Sequence, residues 1–144
     1  MVTIESKLEE RVFLMSYMFR RILVPYDGSA NSEKGLRVAL ELSAILGSKI
    51  TVAYACEKGK CNGGLLERAK EIAEARGIKV ETKLIEFDPE ESSESSEIVK
   101  EVNSNSYDLV VAGIRGKTEY EGLEKGSVAT TLFVNTNASY LFVK

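Results

Sequence analysis

Gly113, Gly116, Gly126 and Ser127 follow the pattern G-x2-G-x9-G-S, and that spacing suits the holding of phosphates. Lacking a Cβ, Gly113 and Gly116 let the backbone approach an anion and turn N–H groups toward it. Gly126, Ser127 and Val128 would open a helix, where free N–H groups, the Ser127 hydroxyl and the positive end of the helix dipole all favour phosphate. Arg115 and Lys117 add positive charge over the same loop. Each charge-assisted hydrogen bond of this kind contributes roughly 1.5 to 3 kcal/mol. The competing reading is that the glycines only make tight turns and Ser127 only caps a helix.

The loop sits between Tyr107-Asp-Leu-Val-Val-Ala112, short and β-rich, and Val128-Ala-Thr-Thr-Leu-Phe-Val134, which can start a helix. Open α/β sheets bind ligands at such strand-to-helix junctions. From Arg20 onward strand-like and helix-like patterns alternate, which predicts a parallel sheet with helices on its faces. Ile22 to Tyr26 is a buried strand that Pro25 brings to its end. Asp27 to Ser32 supplies turn and N-cap residues, and Leu36, Ala39, Leu40 and Ser43 mark the inner face of a helix ending at Gly47. Ile50 to Ala55 is a second strand; Leu65, Leu66, Ala69, Ile72 and Ala73 are the apolar face of a second helix stopping at Gly77.

Val80, Thr82 and Leu84 alternate as in a strand nearer the sheet edge. The run Asp88 to Ser96, rich in serine and glutamate, reads as a solvated loop, or alternatively a phosphorylation site, before a helix around Glu97 to Asn103. Leu109 to Ala112 is the fourth strand, Ser127 to about Thr136 the fourth helix, and Tyr140 to Val143 the last strand. Right-handed crossovers then predict a single doubly wound, Rossmann-like domain, five parallel strands with helices on both faces. Its switch point lies beside the first strand, bringing Pro25, Tyr26 and Asp27 next to the loop that begins at Gly113. Asp27 repels phosphate, so its expected role is to accept hydrogen bonds from a ribose or base, or to help hold a metal ion.

Composition narrows the chemistry. A chain of 144 residues with 44% hydrophobic and 28% charged residues is the size of one globular domain. A net charge of -3 gives no general attraction to nucleic acid or an acidic membrane surface. The absence of histidine excludes Ser-His-Asp and Cys-His triads and histidine-ligated metals. Neither a GxGxxG nor a Walker A sequence is present. Cys56 and Cys61, spaced C-x4-C, are expected to be reduced thiols in a cytoplasmic protein, with a local disulfide or a redox response as the alternative.

Residues 1–17 read as an extension. Val12 to Phe19 is apolar but far shorter than the roughly 18 residues of a membrane span, and it comes after Glu5, Glu9 and Glu10. A secreted or membrane-bound chain is therefore not expected. Ile4, Leu8, Val12 and Met15 predict an amphipathic helix that packs on the domain or a partner chain, unless translation begins at Met18.

From about Met18 to Lys144 the chain resembles the universal stress proteins, in their ATP-binding branch. Arg20-Arg-Ile-Leu-Val-Pro-Tyr-Asp-Gly-Ser29 is similar to that family's first strand and acidic loop, and the G-x2-G-x9-G-S run to its nucleotide-binding signature. The resemblance implies strand order 3-2-1-4-5, ATP with Mg2+ at the strand ends, and a homodimer formed largely through the last strands. Carried over, Pro25, Tyr26 and Asp27 face base and ribose, Ala55 lines the adenine slot through its backbone, and Gly113, Arg115, Gly116, Gly126, Ser127 and Val128 take the phosphates.

Departures from the family pattern are Tyr54 in place of a frequent histidine, a bulky Tyr26 that narrows the slot, a short loop after the second strand, the serine and glutamate insertion, and Ser139 in place of proline. The function implied is a nucleotide-occupancy switch in stress response with an unknown protein partner. It is not expected to be an enzyme, since no well-placed base accompanies Asp27 to support rapid hydrolysis. The alternatives are a structural dimerisation module that binds no nucleotide and a slow ATP hydrolase.

Overall fold

The computed structural model describes residues 3–114 and 128–144. Helix α1 (Ile4–Met18) precedes the alternating series β1 (Arg21–Pro25), α2 (Ala30–Leu46), β2 (Lys49–Glu57), α3 (Gly64–Glu74), β3 (Glu81–Phe87), α4 (Glu94–Ser104), β4 (Leu109–Gly113), α5 (Val128–Asn135) and β5 (Ser139–Val143). The five strands run parallel in the order β3-β2-β1-β4-β5. This is the doubly wound, Rossmann-like sheet that the alternation predicts.

Central β1 is covered on both faces, so it is a continuous apolar run rather than an alternating one. Ile22, Leu23 and Val24 have no exposed surface. Ile22 and Val24 pack with Leu36, Leu40 and Ile72 of α2 and α3, whereas Leu23 joins Ile98, Val102 and Leu132 of α4 and α5 on the other face. Full burial of each such side chain is worth about 1.5 to 3 kcal/mol. Helix α2 begins where the Ser29 side chain accepts the Ser32 N–H, and stops at Gly47, whose φ of +72° closes its last turn.

Helix α4 starts at Glu94, earlier than the sequence suggests, because Ser93 caps it by accepting the Ser96 N–H. Part of the serine-rich run is therefore helix. Farther along α4 the buried Glu101 receives Lys83 Nζ, Asn105 Nδ2 and the Tyr107 hydroxyl. Burial, then hydrogen bonding to Glu101, pushes the Tyr107 phenol up to about 12.

The sheet's two rims differ. Strand β3 carries Glu81, Lys83 and Glu86 on a largely exposed edge. Strand β5 reads Ser139-Tyr-Leu-Phe-Val143, with Tyr140 and Phe142 stacked beside Phe133 of α5.

Helix α1 forms as predicted but buries none of its residues. Ile4, Leu8, Val12 and Met15 are all exposed, so of the two surfaces expected to cover them, the domain or a partner chain, the domain does not bury them. The reason is their distribution: Phe13 and Tyr17 fall on the opposite side of the helix, so no single apolar stripe exists to dock. No described helix is long and apolar enough to cross a membrane.

Candidate functional site

The strand order places β1 between β2 and β4, with Leu23 opposite Val110 and Pro25 opposite Ala53. The carboxyl ends of β1, β2 and β4 thus open on one crevice. Half-buried Pro25 ends β1, and the Tyr26 N–H still donates to Ala53 O at 2.8 Å. That bond keeps the chain on β2 for one more residue. By alternation the Tyr26 side chain then falls on the α2 and α3 face, in the cluster of Leu36, Leu40 and Ile72, where it is 3% exposed. Tyr26 therefore fills core rather than narrowing the slot. Among the described residues its hydroxyl meets the geometry of a hydrogen bond with none, and burial, followed by the charge of Glu33, raises its pKa.

Asp27 begins the turn into α2. Its Oδ1 accepts the Ser29 N–H at 2.9 Å, and its own N–H donates to Ser32 Oγ at 3.3 Å. Partial burial works to raise the Asp27 pKa, but the hydrogen bonds from Ser29 and Ser32 outweigh it and hold the carboxyl below its ordinary value. Asp27 is thereby fixed as an anion at the crevice.

Beside it lies an open cavity of about 460 Å³. Asp27 and Ala55 both line it, together with Tyr54, Cys56 and Glu57 from the end of β2. The opposite wall is Phe87 and Pro89, at and beyond the end of β3, and Ser92, Ser93 and Glu94 at the start of α4. Burial, then the neighbouring charge of Asp27, raises the pKa of Glu94. The Ser92 hydroxyl is buried and has no hydrogen-bond partner among the described residues. Among the described residues that line it, three carry carboxyl groups and none is basic, a wall that accepts hydrogen bonds from hydroxyl or amino groups and repels phosphate. Among the described residues no cluster of three or more metal-ligating side chains forms.

Gly113 ends β4 at the crevice but does not line this cavity. A Cβ there would lie 1.8 Å from the Asn31 carbonyl oxygen, and one on Gly35 would lie 2.8 Å from Gly113 N. The missing side chain thus admits the first turns of α2, a packing reason that stands beside the anion approach read from the sequence. Val128 opens α5. Arg115, Gly116, Gly126 and Ser127 lie outside the described residues.

One feature escaped the sequence reading, and another followed its alternative rather than its main expectation. Glu94 and its serines looked like a solvated loop, and only the cap at Ser93 hinted that a helix starts there. Cys56 and Cys61 form a disulfide with Cα atoms 5.3 Å apart, against the expectation of two thiols. A turn after β2, closed by the Lys60 N–H on Glu57 O, returns the chain to the strand and brings the sulfurs together.

The geometry agrees with what the chain is similar to. Universal stress protein MJ0531 of Methanocaldococcus jannaschii is 25% identical over 146 residues, covering 88% of this chain and 83% of that protein. A universal stress protein in complex with cAMP superposes with a TM-score of 0.74 at 23% identity, over 87% of this chain and 96% of its own. The universal stress protein from Archaeoglobus fulgidus in complex with dAMP gives 0.67 at 20% identity, over 88% and 99%. At such identities the two structures speak for the fold. The family match itself runs from Met18 to Lys144 and takes in every strand, the Asp27 turn and the glycine run, so this chain belongs to the universal stress protein family.

Proposed function

We propose that the chain binds an adenine nucleotide, ATP with Mg2+, at the carboxyl ends of β1, β2 and β4. In this reading it acts as a homodimeric switch whose occupancy a partner protein senses. The observation that carries the reading is the single cavity shared by Asp27 and Ala55. Its acidic wall suits the hydroxyl and amino donors of a nucleoside and repels phosphates, for which the sequence offers the glycines of residues 113–128 and Arg115. The cAMP and dAMP complexes of proteins with this fold support the same ligand class.

The site favours retention over turnover. Asp27 is held ionised by its own turn and is a weak base. Glu94 is the stronger base, but it stands in the wall that repels the phosphates. Fast ATP hydrolysis abolished by Asp27→Ala would overturn the switch.

The melting temperature of nucleotide-free protein with and without ATP and Mg2+ tests binding. At ATP near 100 times its Kd, linkage gives about 2.7 kcal/mol, roughly 6 to 10 °C for a chain of this length. Gly126→Val and Ser127→Ala are expected to abolish or reduce the shift. A folded protein with no shift would remove the nucleotide reading.

A further inference from the structure

We propose that the Cys56–Cys61 disulfide is a redox-modification site governing the cavity, with the oxidised chain holding adenine nucleotide more tightly than the reduced one. The inference rests on the nucleotide reading for its ligand, but on the loop alone for its mechanism. Cys56 lines the cavity, and its neighbour Glu57 ends β2. Cys61 is half-buried at the far side of the turn, where a thiol can reach it.

The ring so closed anchors the segment leading into α3. The Asn62 N–H donates to the Tyr54 hydroxyl at 3.1 Å, and the Gly64 N–H to Asn62 Oδ1 at 3.0 Å. Leu65, in the first turn of α3, then lies against Gly28: a Cβ on that glycine would sit 2.5 Å from Leu65 Cδ2. Gly28 adjoins Asp27. Two parts of the cavity wall, the end of β2 and the Asp27 turn, are therefore joined through a segment that the disulfide fastens at its start.

Its placement fits control better than stapling. Loop-closure stabilisation grows with loop length, and a sequence separation of 5 is near the short extreme. The chain has two cysteines, so no other pairing competes within it. A dithiol reductant completes the chemistry. Its thiolate attacks the Cys61 sulfur, the S–S bond breaks, and Cys56 leaves as a thiolate that takes up a proton. The reductant's second thiol then displaces Cys61 and closes its own disulfide, so two electrons and two protons pass to the protein. Opening the ring frees the turn, and the wall must be ordered again when ligand binds.

The test uses the full chain, oxidised with glutathione disulfide or reduced with dithiothreitol, with thiols counted by alkylation and mass. ATP affinity is measured by calorimetry, and amide hydrogen exchange is monitored at Asn62 and Leu65. Oxidised protein is expected to bind ATP at least about fivefold more tightly and to exchange more slowly at both amides. A Cys56→Ser, Cys61→Ser double variant, with unchanged circular dichroism, should match the reduced form and ignore dithiothreitol. Equal ATP affinity in both forms, or cysteines that resist oxidation, would overturn the proposal and leave the nucleotide reading standing. Faster exchange on reduction with ATP bound by neither form would remove the nucleotide reading and keep redox control of the loop.

Discussion

Asp27 and Glu94 share one cavity under opposite electrostatic settings. Burial acts to raise both, but Asp27 has its own turn to hold it down, while Glu94 has Asp27 as a charged neighbour. Their effects on stability therefore have opposite signs. The contribution of Asp27 is present above its ordinary carboxylate pKa and is lost as pH falls through the lowered folded value. Glu94 runs the other way: its ionisation opposes folding, and that cost is relieved as pH falls through its raised folded value. A carbon-detected NMR titration should place the Glu94 midpoint above 4.5, and Asp27→Asn should lower it by removing the like charge. A midpoint unmoved by Asp27→Asn would mean that burial alone sets it. Asp27 was readable because it comes directly after a buried strand and before cap residues. Glu94 was not, because its partner lies far away in the chain and its neighbours are residues that ordinarily face water.

Between elements, α2 packs closely on the end of β4 at the crevice. Gly113→Ala would drive a methyl into the Asn31 carbonyl, with backbone on both sides and no flexible side chain to yield. Urea denaturation should show a loss of at least about 2 kcal/mol. Gly63→Ala, with nothing within 4 Å of the added atom and no positive φ, should stay within about 0.5 kcal/mol. Equal effects would mean that α2 shifts freely. Apolar periodicity marked the helices and strands nearly to their ends, since Leu36, Ala39 and Leu40 or Ile22 to Val24 repeat with the period of the surface they bury. Which contact demanded a glycine was hidden, because a tight turn, an anion site and a close helix leave the same letter in the sequence.

For the whole molecule, alternation and handedness predicted a doubly wound sheet with its switch point beside β1, which located the crevice, while the full strand order came from the family resemblance. Helix α1 marks where pattern stops being enough: the spacing of Ile4, Leu8, Val12 and Met15 foretold a helix, but Phe13 and Tyr17 on its other side leave no single face set apart for docking. Removing residues 1–17, none of them buried among those described, should change unfolding free energy by under about 1 kcal/mol, as denaturant titration of the shortened chain would show. A larger loss would mean that α1 is covered in solution. The unlike rims of the sheet set a rule of association. Charges along β3 discourage a further strand there, whereas β5 offers an uncharged rim. Two copies meeting at β5 would present β3 at both outer limits, and the joined sheet would be capped at each end. In the proposed dimer such a surface would count to two and stop, leaving no open apolar rim from which a fibre could grow.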